Sequence, residues 1–378
     1  MADGPAPLAG VRVLDAGSTL PGPYCTQLLA DLGADVIAVE RPGGGDPLRE
    51  LMPGTFGLVN RGKRRVTLDL KNPADRVRLD RLLADADVLV VGFRPSVTCR
   101  LGLDAAAFAG HNPRGVHCSI TGFGGTGGHR ERPGHDLNYL GLAGALQGPH
   151  GVDDETGTAG EQAMLVADLA SGALAALAVT AALRRRDATG AGCAIDLGMA
   201  DVALSWSAVR RVDALLHPAS PSRRTPGQGM FVTADGHPVT LGLIEDHFWA
   251  RFVAEVPDAT LRDRLADPRF ATGDGRDRHH ADATELLRAA VAAAPLAHWL
   301  AAGERADLPV HPALDFVTAL RSAPFTDRGL LDVTTDGTPD QTTAGITAAF
   351  PALLDGAAHT AGPWPGPTTT GTGDIAWR

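Results

Sequence analysis

The first 120 residues alternate short apolar runs with amphipathic ones, and this alternation restricts the fold more than any other feature of the chain. Segments 11–16, 35–40, 65–70, 87–91 and 115–120 read as strands rich in Val, Ile and Leu. Between them, 25–32 reads as a helix stopped by Gly33, and 72–86 as an amphipathic helix. Parallel strands need a crossover between them, so strand–helix–strand order predicts an α/β fold with a Rossmann-like parallel sheet. The turn after the first strand is Leu20-Pro21-Gly22-Pro23-Tyr24. It lacks the glycines that let backbone approach a dinucleotide pyrophosphate, and its prolines predict a stiff loop.

Further along, residues 165–183 are apolar on nearly all sides and dense in Ala and Gly. That predicts a helix buried all round, with small residues permitting close packing, including against a second subunit. The apolar run at 173–183 is too short to span a bilayer. Arg184, Arg185 and Arg186 follow, where cations complement a helix C-terminus. A Pro/Ser/Arg stretch at 217–229 reads as a linker, and Ala234-Asp235-Gly236-His237 between two apolar runs is a hairpin signal. The expected organisation is a large α/β domain over 1–195, a linker over 196–219, a smaller α+β domain over 220–310, and a segment over 311–378 returning to the large domain. Its last part, 355–378, is rich in Gly, Pro and Thr and reads as an extended strap.

A net charge of −10 argues against a nucleic-acid partner, although local arginines can still build an anion pocket. Cys25, Cys99, Cys118 and Cys193 have no CxxC spacing, which predicts reduced thiols, a cytoplasmic location and no metal site. The first residues lack a basic-then-apolar leader, so neither a signal peptide nor a membrane partner is expected.

Three titratable residues stand out. His135 follows the glycine-rich run 122–128 and is the side chain best suited to proton transfer near neutral pH. Asp168 sits at the mouth of the apolar helix, where an N-cap is the competing role. Glu245 ends an apolar strand, where a solvated surface acid is the competing role. Arg41 and Arg94 follow the second and fourth strands, at the carboxyl ends where open α/β sheets bind ligands.

The segments Pro7-Leu8-Ala9-Gly10-Val11-Arg12-Val13-Leu14-Asp15, Glu40-Arg41-Pro42-Gly43, Asn60-Arg61-Gly62-Lys63-Arg64, Leu68-Asp69-Leu70-Lys71, Gly92-Phe93-Arg94-Pro95 and Ser119-Ile120-Thr121-Gly122-Phe123-Gly124 resemble the class III CoA-transferase family over about residues 6–200. Within it, Gly134-His135-Asp136-Leu137-Asn138-Tyr139 is similar to the α-methylacyl-CoA racemase branch. The resemblance implies His135, Asp168 and Glu245 as the catalytic residues, with Glu245 partnering His135. It implies that Arg41, Thr67, Leu68, Asp69, Leu70, Lys71, Arg94, Arg100, Gly134, Asp136, Leu137, Asn138 and Tyr139 hold CoA or line its channel. It also implies an interlocked homodimer, an acyl-CoA substrate and no cofactor beyond that CoA.

The chain departs from that pattern at Asp246, where racemases commonly carry proline, in a shortened 217–230 segment, and in lacking the usual C-terminal helix. The expected chemistry is racemisation of a 2-methylacyl-CoA through an enolate. Backbone N–H groups at the start of the Asp168 helix are candidate donors to the enolate oxygen. CoA transfer with Asp168 as nucleophile is the alternative, and a non-catalytic acyl-CoA-binding homologue a third.

Overall fold

The computed structural model describes residues 5–146, 164–216, 225–333, 346–355, 357–362 and 376–377. The chain forms two compact units, one of residues 1–210 and 323–378, the other of residues 211–322. The first runs β1 (Arg12–Ala16), α1 (Pro21–Asp31), β2 (Asp35–Glu40), α2 (Leu48–Leu51), α3 (Pro53–Asn60), β3 (Arg64–Thr67), α4 (Pro73–Asp85), β4 (Val88–Val91), α5 (Pro95–Leu101), α6 (Ala105–His111), β5 (Val116–Thr121), α7 (Asp136–Leu142), α8 (Val166–Thr189), β6 (Cys193–Gly198) and α9 (Met199–Leu216). Six parallel strands pair in the order β3-β2-β1-β4-β5-β6. Chain order reverses direction between β1 and β4, which makes their carboxyl ends the topological switch point.

The strands of 11–16, 35–40, 65–70, 87–91 and 115–120 form within a few residues of expectation, and β6 is a further strand. The central ones are apolar on both faces: Val13, Leu14, Val88, Leu89, Val90 and Val91 are all 0% exposed. Leu14, Ile37, Leu89 and Val91 pack with Leu79 and Leu83 of α4 on one side of the sheet. Val13, Val88 and Val90 pack with Leu29 of α1 and Val179 of α8 on the other. Two-sided covering is what strand–helix–strand connectivity imposes.

Four expectations are corrected here. The prolines at 21 and 23 begin α1 rather than a stiff loop. Proline lacks an N–H, and the first helical turn needs none. Helix α8 is not buried all round: Ala167, Ala170, Ala175, Val179 and Leu183 face the core, whereas Leu177 is 64% exposed. At 24 residues it is also long enough to cross a bilayer, so the short-run argument does not hold. Half of its most apolar window is buried in the molecule, against α1 and the sheet. Residues 196–216, expected as a linker, are instead the end of β6 and helix α9. The linker expected at 217–229 lies partly outside the described residues, and its last two residues open β7.

The approach of α8 to α1 depends on Gly172. A Cβ there would sit 2.8 Å from the Pro21 carbonyl and 2.9 Å from the Tyr24 ring. Residues 346–355 and 357–362 belong to the same unit: Arg61 Nε donates to the Ala348 carbonyl at 3.2 Å, and the Ala361 N–H donates to Asp31 at 3.0 Å.

In the second unit, β7 (Gln228–Val232), β8 (Pro238–Gly242) and β9 (Val310–Pro312) form an antiparallel sheet. Gly236 adopts φ +80° at the expected hairpin. Helices α10 (Asp246–Glu255), α11 (Ala259–Leu265), α12 (Gly273–Arg278), α13 (His280–Val291) and α14 (Leu296–Ala306) complete it around Trp249, Phe252, Phe270 and Trp299.

Candidate active site

The segment that carries His135 is shaped by one aromatic ring. Tyr139 on α7 is 3% exposed and meets Phe123 edge-on, with ring centroids 5.5 Å apart. Gly122 and Gly134 lie against its two sides. A Cβ on Gly122 would come within 2.5 Å of the Tyr139 hydroxyl, and one on Gly134 within 2.7 Å of the ring. Only glycine lets both strands of the loop close on the ring. The loop is held at two further points. Asp196 of β6 accepts the Gly125 N–H with both oxygens, at 2.8 and 2.9 Å. Glu131 accepts from the Ser96 N–H at 3.0 Å and from its hydroxyl at 2.8 Å, at the start of α5.

His135 is the N-cap residue of α7 and is solvent-exposed. Its own N–H donates to Asn138 Oδ1 at 2.9 Å, which fixes the backbone from which the imidazole projects. The next residue, Asp136, is 4% exposed, and its Oδ1 accepts the Asp168 N–H at 3.0 Å. The first turns of α7 and α8 are thus joined by one carboxylate. Asp168 is the third residue of α8 rather than its cap; that position is Leu165, whose side chain caps nothing. Burial pushes the Asp168 carboxyl up to about 6, the negative charge of Asp136 adds to this, and His135 opposes it. Burial likewise raises the Tyr139 phenol, with Asp168 adding and Arg94 opposing. Asp168 therefore exchanges protons close to neutral pH, where an acid/base group is effective.

Among the expected site residues, the structure brings together His135, Asp136, Asp168, Tyr139 and Arg94. The Asp136 side chain is buried, 4% exposed. Arg94, the exposed N-cap of α5, and Arg100, exposed in its last turn, follow β4. Leu137 and Asn138 are exposed on α7, and Gly134 is half-buried. Arg41 and the Thr67–Lys71 stretch (residues 67–71) follow β2 and β3, on the far side of β1 from β4 but at the same carboxyl edge. Arg41 is exposed and donates to the Gly45 carbonyl at 3.2 Å. Leu68 is buried, its N–H donating to the Glu40 carbonyl at 2.9 Å; Asp69 and Lys71 are exposed and half-buried Thr67 and Leu70 flank Leu68. Glu245 lies in the second unit, exposed at the N-cap of α10. The neighbouring Asp246 takes the fully buried Arg276 at 2.8 Å, and Arg276 also donates to the Ile244 carbonyl at 3.0 Å. The departure at 246 thus anchors the turn that presents Glu245.

The expected oxyanion donors need one correction. The Asp168 N–H is used by Asp136, so of the first three N–H groups of α8 only those of Val166 and Ala167 have no acceptor among the described residues.

Sequence reasoning passed over an ionic cluster beneath the switch point. Lys63, 0% exposed, donates to Asp15 at 3.0 Å, to the Pro23 carbonyl at 2.8 Å and to Asn60 at 3.1 Å. Thr26 and the Gly17 N–H complete the Asp15 carboxylate at 2.6 and 2.9 Å. All three ammonium donors are used, so this lysine holds the loops after β1 and α3 in place. The run Asn60-Arg61-Gly62-Lys63-Arg64 was its signal: so many polar residues between two apolar elements need internal partners.

The family model described as CoA-transferase family III matches residues 8–369. The acetyl-CoA:oxalate CoA-transferase of Acetobacter aceti is 31% identical over 86% of this chain and 85% of its own length. The succinyl-CoA:glutarate CoA-transferase of Mus musculus is 30% identical over 87% of this chain and 77% of its own. The crystal structure of Rv3272 from M. tuberculosis superposes with a TM-score of 0.79 at 29% identity, over 96% of this chain and 97% of that one. A CaiB/BaiF family protein from Brucella suis gives 0.78 at 27% identity, over 96% and 97%. The six-stranded parallel α/β fold is that of these neighbours, and the chain belongs to CoA-transferase family III.

Proposed function

We propose that the protein interconverts the two epimers of a 2-methylacyl-CoA thioester by removing and returning the α-proton. The observation that carries this reading is the pairing of an exposed His135 with an Asp168 carboxyl raised to about 6, on two helix starts joined by Asp136. Racemisation needs two proton-transfer groups on opposite faces of one carbon, each contributing about 100–10,000-fold. His135 takes the α-proton from one face, and the electron pair moves into the thioester carbonyl to give the enolate. Asp168 in its acid form delivers a proton to the other face. In the reverse direction the roles exchange, and solvent restores both groups. The N–H groups of Val166 and Ala167 are suited to stabilise the enolate oxygen. The resemblance implies Glu245 as the partner of His135, and Arg41, Arg94 and Arg100, all exposed, as residues that hold CoA or line its channel; the charge of Arg41 and Arg94 at the strand ends suits phosphate.

The second reading is CoA transfer, favoured by the names of the curated relatives. Asp168 as carboxylate then attacks the thioester carbonyl, forming a mixed anhydride and releasing the CoA thiolate. The thiolate attacks the Asp168 carbonyl, which expels the donor carboxylate and leaves an aspartyl-CoA thioester. The acceptor carboxylate then attacks that thioester, so that the released thiolate takes the acceptor acyl group from the second anhydride and frees the Asp168 carboxylate. Incubating the protein with a single-epimer 2-methylacyl-CoA in deuterium oxide separates the two. Racemisation gives α-deuterium with no acceptor acid present, and His135→Ala suppresses it by orders of magnitude. Background exchange together with CoA transfer to an added carboxylate overturns the racemase reading in favour of the second.

A further inference from the structure

Asp136 is more buried and less satisfied than a capping residue needs to be. Its Oδ1 takes the Asp168 N–H at 3.0 Å, which serves the otherwise uncapped start of α8. Its Oδ2 is buried and has no hydrogen-bond partner among the described residues. Buried polar atoms are almost always partnered, and an unpartnered oxygen on a charged group is among the least favourable exceptions. Asparagine or serine would cap the same N–H without a buried charge. A carboxylate here serves something beyond capping, and the reacting group of the neighbouring helix lies beside it.

We propose that Asp136 is a positioning residue, which fixes the helical turn carrying Asp168 and sets a negative charge against the Asp168 carboxylate. This rests on the reading of Asp168 as the reacting group, under either racemisation or CoA transfer. A negative charge beside a carboxyl group favours its protonated form. Burial is the main cause that raises Asp168, and Asp136 is the next. The other groups facing Asp168 are His135, which opposes the rise, and Tyr139, itself facing Arg94. The Tyr24 phenol of α1, packed against α8, is raised by burial first, and its charged neighbours are Arg61 and Asp31. The nearer side chains of α8 and its α3 neighbours, Leu165, Leu169, Phe56 and Val59, carry no charge. The charge on Asp136 is thus the one anionic influence of a titrating carboxylate on Asp168 among the described residues. Its effect is to keep a fraction of Asp168 protonated toward neutral pH, which a proton donor requires.

The test compares the whole protein with its Asp136→Asn and Asp136→Glu variants by carbon NMR of 13Cγ-labelled aspartate. The Asp168 resonance is assigned as the one missing in Asp168→Asn. Asparagine keeps an oxygen for the Asp168 N–H but removes the charge; glutamate keeps the charge. The expected result is an Asp168 titration moved to lower pH in Asp136→Asn and left near its wild-type position in Asp136→Glu. Where Asp168 acts as the proton donor, the alkaline limb of the pH–rate profile should move in the same direction. An Asp168 titration at the same pH in wild type and Asp136→Asn overturns the proposal. If Asp136→Asn does not fold, loss of the wild-type titration position in Asp136→Glu overturns it and retention supports it. The titration needs no substrate, so it stands apart from the function itself. Full turnover by Asp168→Asn would defeat the assignment of Asp168 as reacting group and leave the NMR result intact.

Discussion

Asp168→Asn should make the protein more stable at alkaline pH and no more stable in acid. Burial first, and the charge of Asp136 second, raise the Asp168 carboxyl from 3.8 to about 6. One pKa unit is about 1.4 kcal/mol, so ionised Asp168 costs the native state on the order of 3 kcal/mol. The folded-state value lies above the unfolded one, so the native chain binds this proton more tightly. The associated stability is fully present below about pH 4 and is lost as pH rises through about 6. Asparagine has the same shape, carries no charge at any pH and escapes that loss. At roughly 2 °C per kcal/mol for a unit of this size, the variant should gain about 6 °C in Tm near pH 8. The gain should fade to nothing near pH 4. Melting curves of wild type and variant, followed by circular dichroism across that range, read the effect directly. A gain of equal size at both ends, or a loss at the alkaline end, refutes the argument that burial and a neighbouring charge strain this carboxylate. The same experiment tests whether stability is traded for function at this residue, since the stabilised variant should be inactive.

Three further outcomes follow from the packing. Gly134→Ala puts a Cβ about 2.7 Å from the Tyr139 ring, which is too close for any carbon contact, so it should lower stability by about 1–3 kcal/mol and displace His135; chemical denaturation and the exchange rate together check this. Lys63→Met leaves the Asp15 carboxylate buried without its cation and should cost about 3–5 kcal/mol, measured by urea unfolding; a near-neutral result would mean that the cluster is not an ionic pair. Leu204, Trp206 and Val209 of α9 are 57, 49 and 81% exposed, and the expected homodimer is a means of covering them. Val209→Arg should therefore shift the mass measured by light scattering toward the monomer, and an unchanged mass would place the interface elsewhere.

Much of the large unit was legible because its signals are local. Runs such as Val88-Leu89-Val90-Val91 are apolar at every position, which fits only a strand covered on both faces. Helix α4 announced itself through Asn72, whose side chain accepts the Ala74 N–H at 2.9 Å. β6 was missed because it is an edge strand with alternate residues half-buried, so its pattern is weak, and it pairs with β5 only across a connection of about 70 residues. The prolines before Tyr24 misled because the same residue serves a stiff turn and a first helical turn equally well.

The candidate site divides along the same line. His135, Asp168 and Glu245 could be named from residue type and motif, because proton-transfer groups come from a short list of side chains. Their chemistry could not be read from the sequence. Asp136 and Asp168 are 32 positions apart, and only the packing of α7 on α8 lets one carboxylate take the other's N–H and raise its proton affinity. The saturation of Lys63 by Asp15, Pro23 and Asn60 is likewise a property of β1, α1 and α3 meeting. The sequence alone determined five of the six strands of the large sheet, the helix at 73–85 and which residue types are present, since backbone propensity and apolar periodicity act over a few residues. Tertiary structure alone decided which acid is buried, which N–H is spoken for and which carboxyl titrates near neutral pH. Desolvation and Coulomb interactions depend on distance in space rather than along the chain.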